Sequence, residues 1–162
     1  MVPIIVFAGL AIVLFAGAFI SKRRFGLLGL ALTAGATLST IWSYDAGLIV
    51  SGTGIFPEGV ITQAATQSLV VLLPALLLLF HGYAYKNIIG RIVGALLFTI
   101  LALAFLVEPI GYALPLEGTG ATVYSTVKQY KDVIISIGVV LAVIDLFFTK
   151  PAHLSEKGRK KR

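Results

Sequence analysis

SLVVLLPALLLLFHGYAY (68–85), the polar link Lys86-Asn87-Ile88-Ile89-Gly90-Arg91 and IVGALLFTILALAFLV (92–107) together make one hairpin. Each apolar run approaches the roughly 20 residues that an α-helix needs to cross a hydrocarbon core about 30 Å thick. The firmly cationic residues of this stretch, Lys86 and Arg91, both sit in the link. Basic residues favour the cytoplasmic side, so the link is expected there, and the other segments take their orientation from it.

Composition agrees with a membrane reading. The 162 residues are 58% hydrophobic and 12% charged, with a mean hydropathy of +0.99, whereas soluble domains carry about 25% charged residues. The chain has no cysteine, which excludes disulfides, thiolate metal sites and cysteine nucleophiles. The net charge of +6 is concentrated after the first segment and at the C-terminus, and reads as an orientation signal before nucleic-acid affinity.

The opening VPIIVFAGLAIVLFAGAFI is uncharged from Val2 to Ile20 and stops at Ser21-Lys22-Arg23-Arg24. In a signal peptide the positive charge precedes the apolar core; here it follows, which predicts a retained helix with its N-terminus outside. The second segment, FGLLGLALTAGATLSTIW (25–42), is rich in small residues. Gly29, Thr33, Thr37 and Thr40 fall on one helical face and Ala31, Gly35 and Ser39 on another, a pattern that lets neighbouring backbones approach closely. Trp42 and Tyr44 suit an interfacial belt.

Residues 44–66 carry Asp45 and Glu58, no Lys or Arg, and turn signals such as Ser51-Gly52-Thr53-Gly54, which predict an outer loop lying at the membrane surface or dipping into it. Pro74 falls inside the third helix and should kink it. Gly90 and Gly94 have the GxxxG spacing of a helix-packing seam. The fourth helix is expected to end at Glu108-Pro109, and a second outer loop to lead into an amphipathic run with Lys128 and Lys131 snorkelling outward.

The expected architecture is all-α: a polytopic bundle of about five transmembrane helices at 3–20, 25–43, 67–85, 88–107 and 132–149, with a basic cytoplasmic tail at 150–162. The inner side collects Lys22, Arg23, Arg24, Lys86, Arg91, Lys150 and the tail, against Lys128 and Lys131 outside. That asymmetry predicts an outer N-terminus and an inner C-terminus.

No phosphate loop, HExxH, GxSxG or acid cluster at metal-ligand spacing occurs, so neither an enzyme nor a cofactor or metal is expected. Asp145 interrupts an apolar run one turn before Lys150, where an acid must face protein, pair or protonate. With His81 it is the candidate ion or proton site, weighed against a plain bond to a neighbouring helix or inner cation. His153 reads as a solvated tail residue. Glu108 reads as an interface residue, and Asp132 as the polar start of the fifth helix. Gly29, Gly35, Gly90 and Gly94 are the candidate packing positions. Lys157, Arg159, Lys160, Lys161 and Arg162 form an orientation tail able to touch anionic lipid; no nucleic acid is expected.

Arg24-Phe25-Gly26 after the first helix, the Gly/Ala/Ser-rich second helix, the glycine-containing outer loop and the run Asn87-Ile88-Ile89-Gly90-Arg91-Ile92-Val93-Gly94-Ala95-Leu96 make residues 1–110 resemble the colicin V production protein (CvpA) family of bacterial inner-membrane proteins. The fifth helix departs from that pattern, as does the lack of a long amphipathic segment between the third and fourth helices. The resemblance implies a bacterial inner-membrane location and a link to colicin production or envelope maintenance, without a defined reaction. The expected function is a non-enzymatic scaffold or complex subunit, acting with lipids, with itself or with other membrane proteins. The rival is a small transporter or channel built on Asp145.

Overall fold

A computed structural model describes residues 2–53, 59–82, 84–114 and 119–148. The described residues form five helices, α1 (Val2–Ser21), α2 (Phe25–Gly52), α3 (Val60–Phe80), α4 (Ile88–Ala113) and α5 (Thr119–Phe147). No strand occurs among them; a single bridge joins Arg23 to Ala84. Helices α1 to α4 are each long and apolar enough to cross a membrane. Helix α5, interrupted by Lys128, Lys131, Asp132 and Asp145, is not among those four.

The outward surface shows what solvent this bundle requires. Ile12 is 69% exposed, Leu77 63% and Ile89 73%, and such residues recur along every helix. A surface of this kind is untenable in water and ordinary in lipid. Inside, side chains are small or interlocked: Leu14, Ala18, Phe25, Leu28, Leu32, Val71, Ala75, Phe98, Leu101, Ala102 and Ala142 form one core. Because lipid tails are as apolar as leucine, close packing and polar bonds hold these helices together, with no hydrophobic drive between them.

Several boundaries differ from the sequence expectation, each for a local reason. Helix α2 continues to Gly52 and α3 begins at Val60, so most of the expected outer loop is helical and not re-entrant; residues 54–58 lie outside the described residues. The extension is supported sideways, with Tyr44, Gly47, Leu48 and Ser51 facing Gly59, Thr62 and Gln63 across a shared cleft. That contact offsets the roughly 1 kcal/mol by which each glycine weakens a helix. Helix α3 stops at Phe80, five residues before the expected Tyr85, because Gly82 takes a positive φ of 121° that only glycine adopts freely.

Helix α4 runs through Glu108-Pro109 to Ala113 instead of ending there. Membrane helices tolerate such prolines where neighbours shield the freed backbone, and Pro109 is buried. Helix α5 starts at Thr119, well before the expected residue 132, so the amphipathic run and the apolar run are one helix of 29 residues. Its early part is seated on the bundle, Tyr124 against Gly111 and Gly120 against Pro3. The tail at 150–162, including His153 and the candidate lipid-contact residues Lys157, Arg159, Lys160, Lys161 and Arg162, lies outside the described residues.

The helices alternate in direction. The α1–α2 turn and the α3–α4 link meet at one end, where the Tyr85 N–H donates to the Lys22 carbonyl at 2.8 Å. Lys131 of α5 meets Glu108 near the far end of α4. Asp145, about 21 Å further along α5 at 1.5 Å per residue, returns to the α1–α2 turn, its carboxylate on Gly26. Helix α5 therefore lies alongside the bundle from one end to the other.

Candidate functional site

The turn end is closed by three arginines, each bonded to the carbonyl end of a different helix. Arg23 donates to Leu79 O at 3.0 Å and Phe80 O at 2.7 Å, and also to Gly82 O, so it caps α3. Arg91 donates to Phe19 O near the end of α1 at 2.9 Å and lies 4.5 Å over the Phe19 ring. Arg24 donates to Asp145 O near the end of α5 at 3.3 Å and lies 5.4 Å from the centre of the Tyr85 ring. Carbonyls at a helix C-terminus have no partner within the helix and carry partial negative charge, so cations there are favourable.

The start of α2 is capped by side chains from elsewhere. Arg24 at its N-cap position makes no side-chain cap bond. Instead, the Phe25 N–H donates to the Tyr85 hydroxyl at 3.1 Å and the Gly26 N–H to Asp145 Oδ2 at 2.9 Å. These are two of the amides that a helix leaves unpaired, and a carboxylate there also meets the positive end of the dipole. Gly26 permits this approach, because a Cβ in its place would lie 2.5 Å from the Ala142 carbonyl oxygen. Burial, with the Asp145 charge and a hydrogen bond to it acting in the same direction, pushes the Tyr85 phenol above its ordinary value, against the Phe25 amide and Arg24, which lower it.

The sequence candidates are thus placed as follows. Asp145 joins α5 to the start of α2. His81 is exposed at the end of α3, and no hydrogen bond or ion pair joins it to Asp145 among the described residues. Gly29 faces Ala142 and Leu101, and Gly35 abuts the Val71 carbonyl, so each small-residue face of α2 is closely packed at its glycine, while Thr33, Thr37 and Thr40 line open space. Gly90 and Gly94 receive the Tyr85 ring rather than another helix; a Cβ at Gly94 would lie 2.5 Å from Tyr85 Cε2.

The other half of the bundle holds what the sequence reading passed over. Between α2, α3, α4 and α5 lies a cavity of about 600 Å³, open along one side where Thr37, Thr40 and Tyr112 are exposed, and walled by Thr33, Thr37, Ser39 and Thr40 of α2, Gln67 of α3, Glu108 and Tyr112 of α4 and Lys131 of α5. Glu108 and Lys131 form an ion pair on its wall. The cavity shares Gln67, Pro109 and Tyr112 with a neighbouring one of about 240 Å³. That one shares Gln63 with the cleft between the ends of α2 and α3. A row of polar side chains consequently leads from the cavity to that end of the bundle, while Leu28, Leu32, Phe98 and Leu101 fill the opposite half.

The sequence treated Glu108 and Lys131 as separate interface residues because 23 positions divide them. The usable signal was opposite charge on two segments both assigned to the outer side. Among the described residues no group of His, Cys, Asp and Glu could hold a metal ion. Comparison with known proteins finds no matching family model, no matching curated relative and no matching solved structure.

Proposed function

We propose that this chain is a small, non-enzymatic transporter of a bacterial inner membrane that takes a polar solute into the cavity between α2, α3, α4 and α5. In this reading it crosses the membrane five times, N-terminus outside and tail inside, with α5 as the fifth span. Anchors midway along α5 and near its end, Glu108 to Lys131 and Gly26 to Asp145, support that placement, as does the cluster of Arg23, Arg24 and Arg91 at the end assigned to the cytoplasm.

The observation that carries the reading is the ion pair and threonine row on the wall of one cavity. Ionisable groups at membrane depth are costly, and where they line a cavity they mark solute pathways. The assignment moves the working acid from Asp145, engaged as a cap, to Glu108.

The test uses the full chain in lipid nanodiscs, heated with a panel of small cations, zwitterions and anions. A solute held at 100 times its Kd adds about 2.7 kcal/mol of stability. At least one solute should stabilise the wild type and fail to stabilise Thr37→Leu, whose side chain intrudes on the cavity. If no solute stabilises the wild type, or all act equally on the variant, the transporter reading is wrong.

A second reading, the complex-forming subunit of the colicin V production kind that residues 1–110 resemble, is favoured by α1. Gly9 and Gly17 there have nothing within 4 Å, whereas Gly26, Gly29 and Gly35 of α2 and the glycines of α4 are filled by the chain itself. Extraction in mild detergent and native mass would reveal a defined complex, and Gly9→Leu should break it.

A further inference from the structure

We infer that the cavity's ligand is a small monovalent cation, a primary ammonium or an alkali-metal ion, received by Glu108, and that the Lys131 ammonium is its tethered stand-in. The inference rests on the transporter reading and names the chemistry of its solute.

Three wall hydroxyls have already committed their hydrogens. Thr33 donates to Gly29 O, Thr37 to Thr33 O and Thr40 to Ala36 O, each at 3.0 Å. A hydroxyl has one hydrogen and two lone pairs, so these three present only acceptor oxygens to the cavity. Glu108 adds a carboxylate, with Oε1 bonded to Lys131 and Oε2 taking no protein donor among the described residues. Ser39, Gln67 and Tyr112 can serve either way. Lys131 is the one donor-only group on the wall, and it is held by Glu108.

An anion would have to draw Lys131 away while remaining beside the Glu108 carboxylate, which repels it. A cation meets the reverse situation: it takes the ammonium's place on Glu108 and finds acceptor oxygens around it. The displaced lysine also has somewhere to go. Asp132 Oδ1 lies 3.9 Å from Lys131 Nζ, on a side chain 85% exposed. Exchange of Lys131 from Glu108 to Asp132 leaves every charge paired, so neither carboxylate nor ammonium is left without a partner.

The experiment is titration calorimetry of the full chain in nanodiscs against methylammonium, potassium, sodium, acetate and phosphate, with N-methylglucamine as the bulk cation. Removing the tethered competitor with Lys131→Met should tighten binding of methylammonium or potassium at least tenfold. Lys131→Gln gives the same comparison if the Met variant does not fold. Glu108→Gln should abolish binding, and Asp132→Asn should weaken it several-fold in the presence of Lys131 and not in its absence. Preference for methylammonium over the metal ions identifies an organic amine as the source, and the opposite order an inorganic cation; both support the inference.

Binding of acetate or phosphate that requires Lys131 would overturn the cation assignment and leave the transporter reading standing. Loss of cation binding in both Lys131 variants would overturn the stand-in role. Failure of every probe, in wild type and variants alike, would remove the transporter reading itself.

Discussion

Gly35→Ala should be the most damaging single-methyl change in the chain. The added Cβ would lie 2.1 Å from the Val71 carbonyl oxygen, 2.8 Å from its carbon and 3.1 Å from Pro74 Cδ. Reaching the ~3.5 Å of an ordinary carbon contact requires α2 and α3 to part by roughly 1.4 Å. The opposing atoms are backbone of a continuous helix, so no side-chain rotation relieves the clash. Overpacking of this kind costs about 1–3 kcal/mol, and here the upper end applies because the α2–α3 contact is the most extensive in the molecule. A loss of about 3 kcal/mol lowers the folding constant more than a hundredfold. The control is Gly9→Ala, where nothing lies within 4 Å and alanine's helix preference, worth about 1 kcal/mol, operates alone. Reversible unfolding of both variants in mild detergent tests the difference. Equal stabilities would refute the close approach of α2 to α3 and the packing argument with it.

Arg23→Lys should destabilise the protein by about 1–3 kcal/mol, because one ammonium cannot serve three carbonyls that a planar guanidinium reaches together; the unfolding midpoint measures it. Asp145→Ala should expose the start of α2 and loosen the end of α5, costing about 1.5–3 kcal/mol, whereas Asp145→Asn retains an acceptor for the Gly26 amide and should cost less; amide exchange at Phe25 and Gly26 reports the difference. Tyr85 has a raised folded value, led by burial, so its neutral form is the one the fold favours. Its stability contribution is complete below the ordinary value of 10.0 and is lost as the pH rises through the folded value. Unfolding followed from about pH 9 to about pH 12 should show an alkaline decline that Tyr85→Phe flattens.

The all-α architecture, its four helices of spanning length and the positions of both tight connections were legible in the sequence, because uninterrupted apolar runs of that length admit few alternatives. Helix ends were less so. Asp45, Gly47 and Gly52 read locally as loop residues, yet α2 persists through them because α3 lies alongside, and lateral packing between helices leaves no mark on a single segment. Pro109 read as a terminus for the same reason: its tolerance depends on burial by neighbours. Asp145 was identifiable as an acid in need of a partner, since one charge in an apolar run is visible alone. Glu108 and Lys131 were not, because each sits beside residues that make it look interfacial and only the fold sets them on one cavity wall. The Gly90–Gly94 spacing was legible as a need for close approach; that the approaching group is the Tyr85 ring depended on the path of the 82–87 link.

The basic residues counted as orientation signals have a second role that changes how such signals should be tested. Arg23, Arg24 and Arg91 each bond a helix-terminal carbonyl from α3, α5 and α1 respectively. These three helices all end at the same side of the bundle, where their carbonyls concentrate partial negative charge that lipid tails cannot satisfy. Arginine answers both demands, remaining charged for insertion and presenting a fork to the carbonyls. Replacing all three by lysine keeps the charge difference between the two sides, so the orientation should be unchanged while the bundle loosens. Replacing them by glutamine weakens both, although a glutamine amide can still donate one bond. A cysteine-accessibility map of the ends, combined with unfolding of the same variants, separates the two roles. If the lysine variant were as stable as the wild type, the carbonyl bonds would contribute nothing and charge placement alone would explain the arginines.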